Sequence, residues 1–157
     1  MTDSVAHVAG PEWSLDANER VRGWAAELES RALALPEIIY GDWSPGSGYR
    51  AGLKLAADRS ATAVLCANDR MALGVLHAFA DCGVLVPDDV SVVGFDDVPE
   101  SAHFIPPLTT IRQDIVRLGL EMLAKLLSFI EGNATAAPVH TESELIVRKS
   151  TGPPPRL

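Results

Sequence analysis

Cations are scarce in this chain. Lys and Arg number 13 against 21 Asp and Glu, a net charge of −8 over 157 residues. A nucleic-acid-binding domain needs a basic face, so this chain is not expected to grip DNA or RNA itself. Long apolar runs are missing too. No stretch approaches the roughly 18 apolar residues of a membrane span. The opening segment, Met1 to Val5, has neither the basic flank nor the apolar core of a secretion signal, which points to a cytoplasmic protein. Only two cysteines occur, Cys66 and Cys82, and their spacing fits neither a zinc pair nor a redox pair. Both read as small buried residues, Cys66 in an apolar strand and Cys82 at a helix end. His7, His77, His103 and His140 are scattered without ligand spacing, so neither metal nor cofactor is expected. There is no Gly-x-Ser-x-Gly elbow. The glycine-rich turn from Gly46 to Gly52 lacks the Lys-Ser/Thr ending of a phosphate loop and reads as a helix start.

What is present is an alternation of strands and helices. Val5 to Ala9 reads as a buried strand, broken by Gly10-Pro11. A helix is predicted from Asp16, with Glu19 as capping-box partner. Its apolar stripe is Val21, Trp24, Ala25, Leu28, Ala32 and Leu35, and Pro36 stops it. Glu37 to Tyr40 is the second strand. Ser44 caps a helix with Pro45 at its first position, running to about Asp58 with Tyr49, Leu53 and Ala56 inward. Ala63 to Ala67 is an unbroken apolar run, as in a strand covered on both faces. Asp69 to Cys82 is a helix closed by Gly83, and Val90 to Phe95 is the fourth strand. This rhythm predicts an α/β fold, a parallel sheet with helices on both faces. After Asp97 the rhythm changes. Pro-rich loop, extended Leu108 to Ile111, a long helix over about 114–131 and an alternating strand from His140 to Val147 follow. The segment from Gly152 to Leu157 reads as a frayed tail.

Ligands of open parallel sheets bind beyond the carboxyl ends of the strands. Those ends carry Glu12 and Trp13, Asp42 and Trp43, Asn68 and Asp69, and Asp96 and Asp97. Indoles cover the C–H face of a sugar ring, while carboxylates and amides bond its hydroxyls. Few cations lie there, which disfavours a phosphate ligand. Plainer readings stand beside these. Asn68 or Asp69 caps the helix that follows, Asp97 is a turn residue, Trp43 is open between ligand wall and core, Trp24 is core, and Trp13 is open. Asp96 and Asp97 point opposite ways on an extended chain, so they are not expected to act as a catalytic pair.

Six segments together resemble the LacI/GalR family of transcriptional regulators. They are His7-Val-Ala-Gly-Pro11, Gly41-Asp-Trp-Ser44, Ala67-Asn-Asp-Arg-Met-Ala-Leu-Gly74, the run from Val86 to Asp97, the run from Pro106 to Asp114, and Val147-Arg-Lys-Ser-Thr151. The resemblance implies a periplasmic-binding-protein-like clamshell of two lobes that binds a small-molecule effector, usually a sugar, and acts on DNA through a separate helix-turn-helix head. It implies no catalysis. By it, Trp43, Asn68 and Asp96 line the effector cleft, with Trp13 beside them. Asn18 stands where many members have an arginine, and Gln113 lies at the crossover between lobes. Met71, Leu73, Val75 and Phe104 match a homodimer interface. Residues 1–113 then form a C-terminal lobe, 114–132 a crossover helix that normally packs on the missing N-terminal lobe, 133–151 a return loop and strand, and 152–157 a tail. The chain is read as truncated, without the head and most of the first lobe. The helix over 114–131 would then turn Ile115, Leu118, Met122, Leu123, Leu126, Leu127 and Ile130 to no partner in cis, and is expected to pack back on its own lobe or on another copy. A transport-type solute-binding protein and a small α/β enzyme remain as alternative readings.

Overall fold

A computed structural model describes residues 4–133 and 142–153. Four short strands pair in parallel in the order β2-β1-β3-β4, where β1 is Val5–Ala9, β2 Ile39–Tyr40, β3 Ala63–Cys66 and β4 Ser91–Val93. The helices between them are α1 (Leu15–Ser30), α2 (Pro45–Asp58) and α3 (Asp69–Asp81). Thr109 adds a parallel bridge to Val93 at the edge of the sheet. The chain then leaves the sheet as β5 (Thr110–Gln113), enters α4 (Ile115–Ile130) and returns as β6 (Ser143–Ile146), antiparallel to β5. The expected parallel sheet is present, and among the described residues the only antiparallel pair is this narrow ribbon.

The core lies between the sheet and the α2–α3 layer. Val8, Val64, Cys66 and Val92 rise from the strands to meet Met71, Val75 and Phe79 of α3. The two helices touch through their backbones. A Cβ on Gly48 would sit 2.1 Å from the Met71 carbonyl oxygen, and one on Gly74 would sit 2.0 Å from that of Pro45. This corrects the expected inner face of α2. The buried positions are Ser47, Gly48, Ala51, Gly52, Leu55 and Ala56, while Leu53 is exposed and Tyr49 half-buried. So close an approach selects small residues over the large apolar ones that periodicity favours.

Other boundaries move for local reasons. Ser14, not Asp16, caps α1, its hydroxyl accepting from the Ala17 amide. The helix closes at Ser30 because the amides of Arg31, Ala32 and Leu33 turn back to Leu28 and Glu29, with Ala32 at φ 55°. Ala32 and Leu35 therefore leave the predicted stripe. Ser44 caps α2 and Asn68 caps α3. Cys66 is buried, but Cys82 is exposed, contrary to expectation. His140, predicted to begin a strand, lies outside the described residues, as do residues 154–157 of the tail. The expected fold-back of the long helix does not occur: no residue of α4 is buried. Among the described residues, no helix is long and apolar enough to cross a membrane.

Candidate functional site

Three of the strand ends named from the sequence converge at the carboxyl edge of the sheet. Trp43 follows β2 in the left-handed region, at φ 69°. Its indole lies directly on Gly10 at the end of β1, where a Cβ would be 2.2 Å from the ring. Glycine there is what lets the ring lie flat across the edge. Asn68 holds this arrangement from β3. Its side-chain amide donates to the Trp43 carbonyl at 3.2 Å, and its oxygen accepts from the Met71 amide at 2.8 Å. Asn68 thus caps α3 and fixes Trp43 at once.

The fourth group comes from α1. The Arg20 guanidinium lies 4.0 Å from the centre of the Phe95 ring and 5.6 Å from that of Trp43. Burial lowers the pKa of this arginine, with Asp96 and Asp16 acting in the opposite sense. Cation–π contact offsets some of the lost hydration. Asp96 faces it at φ 108°, a conformation that costs an ordinary residue about 1–3 kcal/mol and tends to gather at functional sites. Its amide donates to the Ile111 carbonyl at 2.9 Å, which ties the site to β5. Burial raises the Asp96 carboxyl above its ordinary value, Arg20 pulls it down, and Asp69 pushes it up again.

Arg20 revises the expectation that few cations lie on this edge. It also revises the place of Asn18, whose amide donates to the Glu12 carbonyl at 3.1 Å within the turn. The sequence did carry a signal for Arg20. It stands one turn before Trp24 on the inner stripe of α1, and an arginine on a buried stripe needs a partner. Trp13 is 82% exposed on the turn and joins no stack. Asp42 is bound locally by Ser44, whose hydroxyl and amide hold its carboxyl down to about 2. Gln113 ends β5 and lines an open cleft with Asp114, Val116 and Glu144, none of which belongs to the Trp43–Arg20–Asp96 group.

Two further carboxylates brace the edge. Asp69 is fully buried and accepts from the Val98 amide at 3.0 Å, the Ser101 hydroxyl at 2.6 Å and the Thr110 hydroxyl at 2.5 Å. It joins the start of α3 to the 3-10 turn Pro99–His103 and to β5. Asp97, at φ 53°, receives Arg148 at 2.6 Å and Arg112 at 2.7 Å. Burial raises its carboxyl, but the bonds from Arg148 and Arg112 outweigh that and leave it below its ordinary value. It is therefore a brace, in keeping with its reading as a turn residue.

Of the four residues matched to a partner interface, Met71 and Val75 are fully buried in the chain's own core. They cannot face a partner, because that side of α3 is the one that meets the sheet and α2. Leu73 remains 39% exposed and Phe104 half-buried.

The arrangement invites comparison with known proteins. The family model described as a periplasmic binding protein-like domain matches residues 2–151. The lactose operon repressor of Escherichia coli (strain K12) is 38% identical over 148 residues, 94% of this chain and 41% of that protein. The HTH-type transcriptional repressor PurR of Histophilus somni (strain 129Pt) is 37% identical over 150 residues, 93% of this chain and 45% of that protein. Among solved structures, the lac repressor dimer bound to operator and the anti-inducer ONPF superposes with a TM-score of 0.89 at 37% identity, over 96% of this chain and 53% of that one. The chain spans less than half the length of these curated relatives.

Proposed function

The chain belongs to the periplasmic binding protein-like domain family, in its LacI/GalR branch, and from that premise we propose that it supplies one wall of an effector cleft in a transcriptional regulator, with a sugar as effector. The observation that carries this reading is the stack of Arg20 on Phe95 and Trp43 with Asp96 facing it. An indole and a phenyl ring offer the flat apolar surface that the C–H face of a pyranose covers. Asp96 accepts from ring hydroxyls, Arg20 donates to them, and Asn68 keeps one amide hydrogen to spare after fixing Trp43. Trp13, Asn18 and Gln113 lie outside that group and would touch an effector only from its periphery. No covalent step is called for, so the role is recognition and not catalysis. DNA contact would fall to a separate head, in the cytoplasm. Leu73 and Phe104 are the accessible remainder of a homodimer face.

One wall has to offset the whole association cost, so affinity should be weak, about millimolar. The test is a titration of the full chain with lactose and other mono- and disaccharides, with free purine bases as controls, read by tryptophan fluorescence and calorimetry. Saturable sugar binding that is lost in Asp96→Ala and weakened at least tenfold in Arg20→Ala supports the reading. Binding of purine bases alone, sugar binding indifferent to both substitutions, or no sugar binding at all overturns it.

A further inference from the structure

One buried polar group takes no direct part in the effector wall. His7 of β1 is fully buried, and its ring stacks on Trp24 of α1 with centroids 5.5 Å apart. Nδ1 donates to the Leu65 carbonyl at 2.9 Å, so in the neutral ring Nε2 carries the lone pair. Nε2 is sealed from solvent and has no hydrogen-bond partner among the described residues. A site between two strands and an indole suits an aliphatic side chain, and an imidazole with an unmet acceptor costs stability there.

What lies beside it is Arg20. Arg20 and Trp24 are four residues apart on α1, so their side chains are neighbours on one face of that helix. Trp24 lies on His7, and Trp43 lies on Gly10, about 10 Å further along β1. The half-buried guanidinium is bounded by both indoles, 5.6 Å from the Trp43 centre. Its charge bears on the His7 ring. The other elements bring no counterion. β3 brings only Cys66, which points into the α2–α3 layer, β4 has no titratable group, and β2 brings the phenol of Tyr40. Asp96 acts on Arg20 and is not among the charges felt by His7. A neutral ring therefore tolerates the guanidinium beside it. A protonated ring adds a second cation, and its Nε2–H points at no acceptor. The ring is pinned by Leu65 and Trp24, whereas Arg20 is held by aromatic faces and has an exit to solvent. We propose that His7 is a positioning residue for the effector wall: neutral, it lets Arg20 lie on Phe95 and Trp43, and a proton taken up by its ring drives Arg20 off them. This rests on the reading of that wall as an effector site. An effector that draws on Arg20 then expels the proton, and by reciprocity acid weakens binding.

NMR of the full chain tests the coupling without any ligand, following the Arg20 Nε–H and His7 Cε1–H resonances from pH 8 to pH 5. The window is the pH range over which circular dichroism is unchanged. Both resonances should move with one midpoint, below the ordinary 6.5. His7→Leu should leave the Arg20 resonance flat, and His7→Asn, which keeps a donor for Leu65, should do the same. Burial raises Asp96 as well, so its titration is set apart with Asp96→Asn, which should keep the Arg20 step. Lactose affinity should fall about fivefold or more from pH 7.5 to pH 5 in the wild type and stay level in His7→Leu. An Arg20 resonance that does not move, a step that survives in both His7 variants or vanishes in Asp96→Asn, or an acid loss of lactose affinity shared by His7→Leu overturns the proposal. A chain that binds no lactose at either pH overturns the effector reading alone, and the coupling stands or falls on the two resonances.

Discussion

Helices α3 and α4 are both apolar with one polar side, yet α3 buries eight of its 13 residues and α4 none of its 16. Hydrophobicity does not separate them. What does is how near another backbone comes. α3 presents Gly74, Ala78 and the backbone of Met71 and Val75 to the glycines of α2, so the two backbones close to van der Waals distance and the large side chains, Met71 and Phe79, pack in the core. α4 offers long aliphatic chains and stands where the described residues provide no matching surface. The lesson is that an amphipathic pattern states a demand for burial, and the partner's shape decides whether the demand is met.

The contrast can be broken most strongly at its centre. Phe79→Ala empties the core beneath α3 and should lower unfolding free energy by about 3–5 kcal/mol in urea melts. Leu127→Ala, the same kind of truncation on α4, should cost under about 1 kcal/mol in a chain held monomeric. Comparable losses at both positions would mean that α4 is buried in solution. A glycine pair sharpens the point at smaller magnitude. Gly74→Ala places a methyl against the Pro45 carbonyl and should cost about 1–3 kcal/mol, whereas Gly119→Ala on α4 meets nothing within 4 Å and should stabilise by up to about 1 kcal/mol. Equal and opposite melting shifts are not required, but opposite signs are.

Acid should part the two regions by a smaller margin. The Asp97 carboxyl lies below its ordinary value in the folded chain, so its stabilisation is present above pH 3.8 and is lost as pH falls through the folded value. Amide exchange should then rise in β5 and β6 before α3 loosens, and Arg148→Met should show that rise already at neutral pH. His7 gives the smallest effect, and at milder pH. Its imidazole donates from Nδ1 to the Leu65 carbonyl, stacks on Trp24, and leaves Nε2 buried without a partner among the described residues. Burial lowers its pKa. Below the ordinary value of 6.5 the unfolded chain takes a proton that the folded one resists, so stability should decline as pH falls from there, and His7→Asn should flatten that slope.

Much of this was legible in the sequence. β1 falls at its predicted residues, and α2 and α3 agree within a residue because Ser44-Pro45, Asn68-Asp69 and Gly83 are strong start and stop signals. Trp43, Asn68 and Asp96 were placed on one edge because a parallel sheet sends every strand end the same way. The misses have a common cause. Ala32 and Leu35 continue the apolar period past Ser30, where the backbone turns left-handed at Ala32, so periodicity overran the end of α1. Met71 and Val75 were assigned to a partner because a motif records that a residue matters without recording which side of its helix it is on. Arg20 was overlooked because an arginine is assumed to be solvated until an aromatic surface is seen beneath it.

The β5–β6 ribbon has a mechanical consequence. Two strands twist more readily than a wider sheet, and here four residues on each side carry a 16-residue helix. That helix is a lever arm about 24 Å long. A rotation of only about 10° at the neck displaces its far end by about 4 Å. The Arg148–Asp97 and Thr110–Asp69 bonds at the base of the neck therefore act as torsional stops. Small changes in their lengths are magnified at the tip of α4.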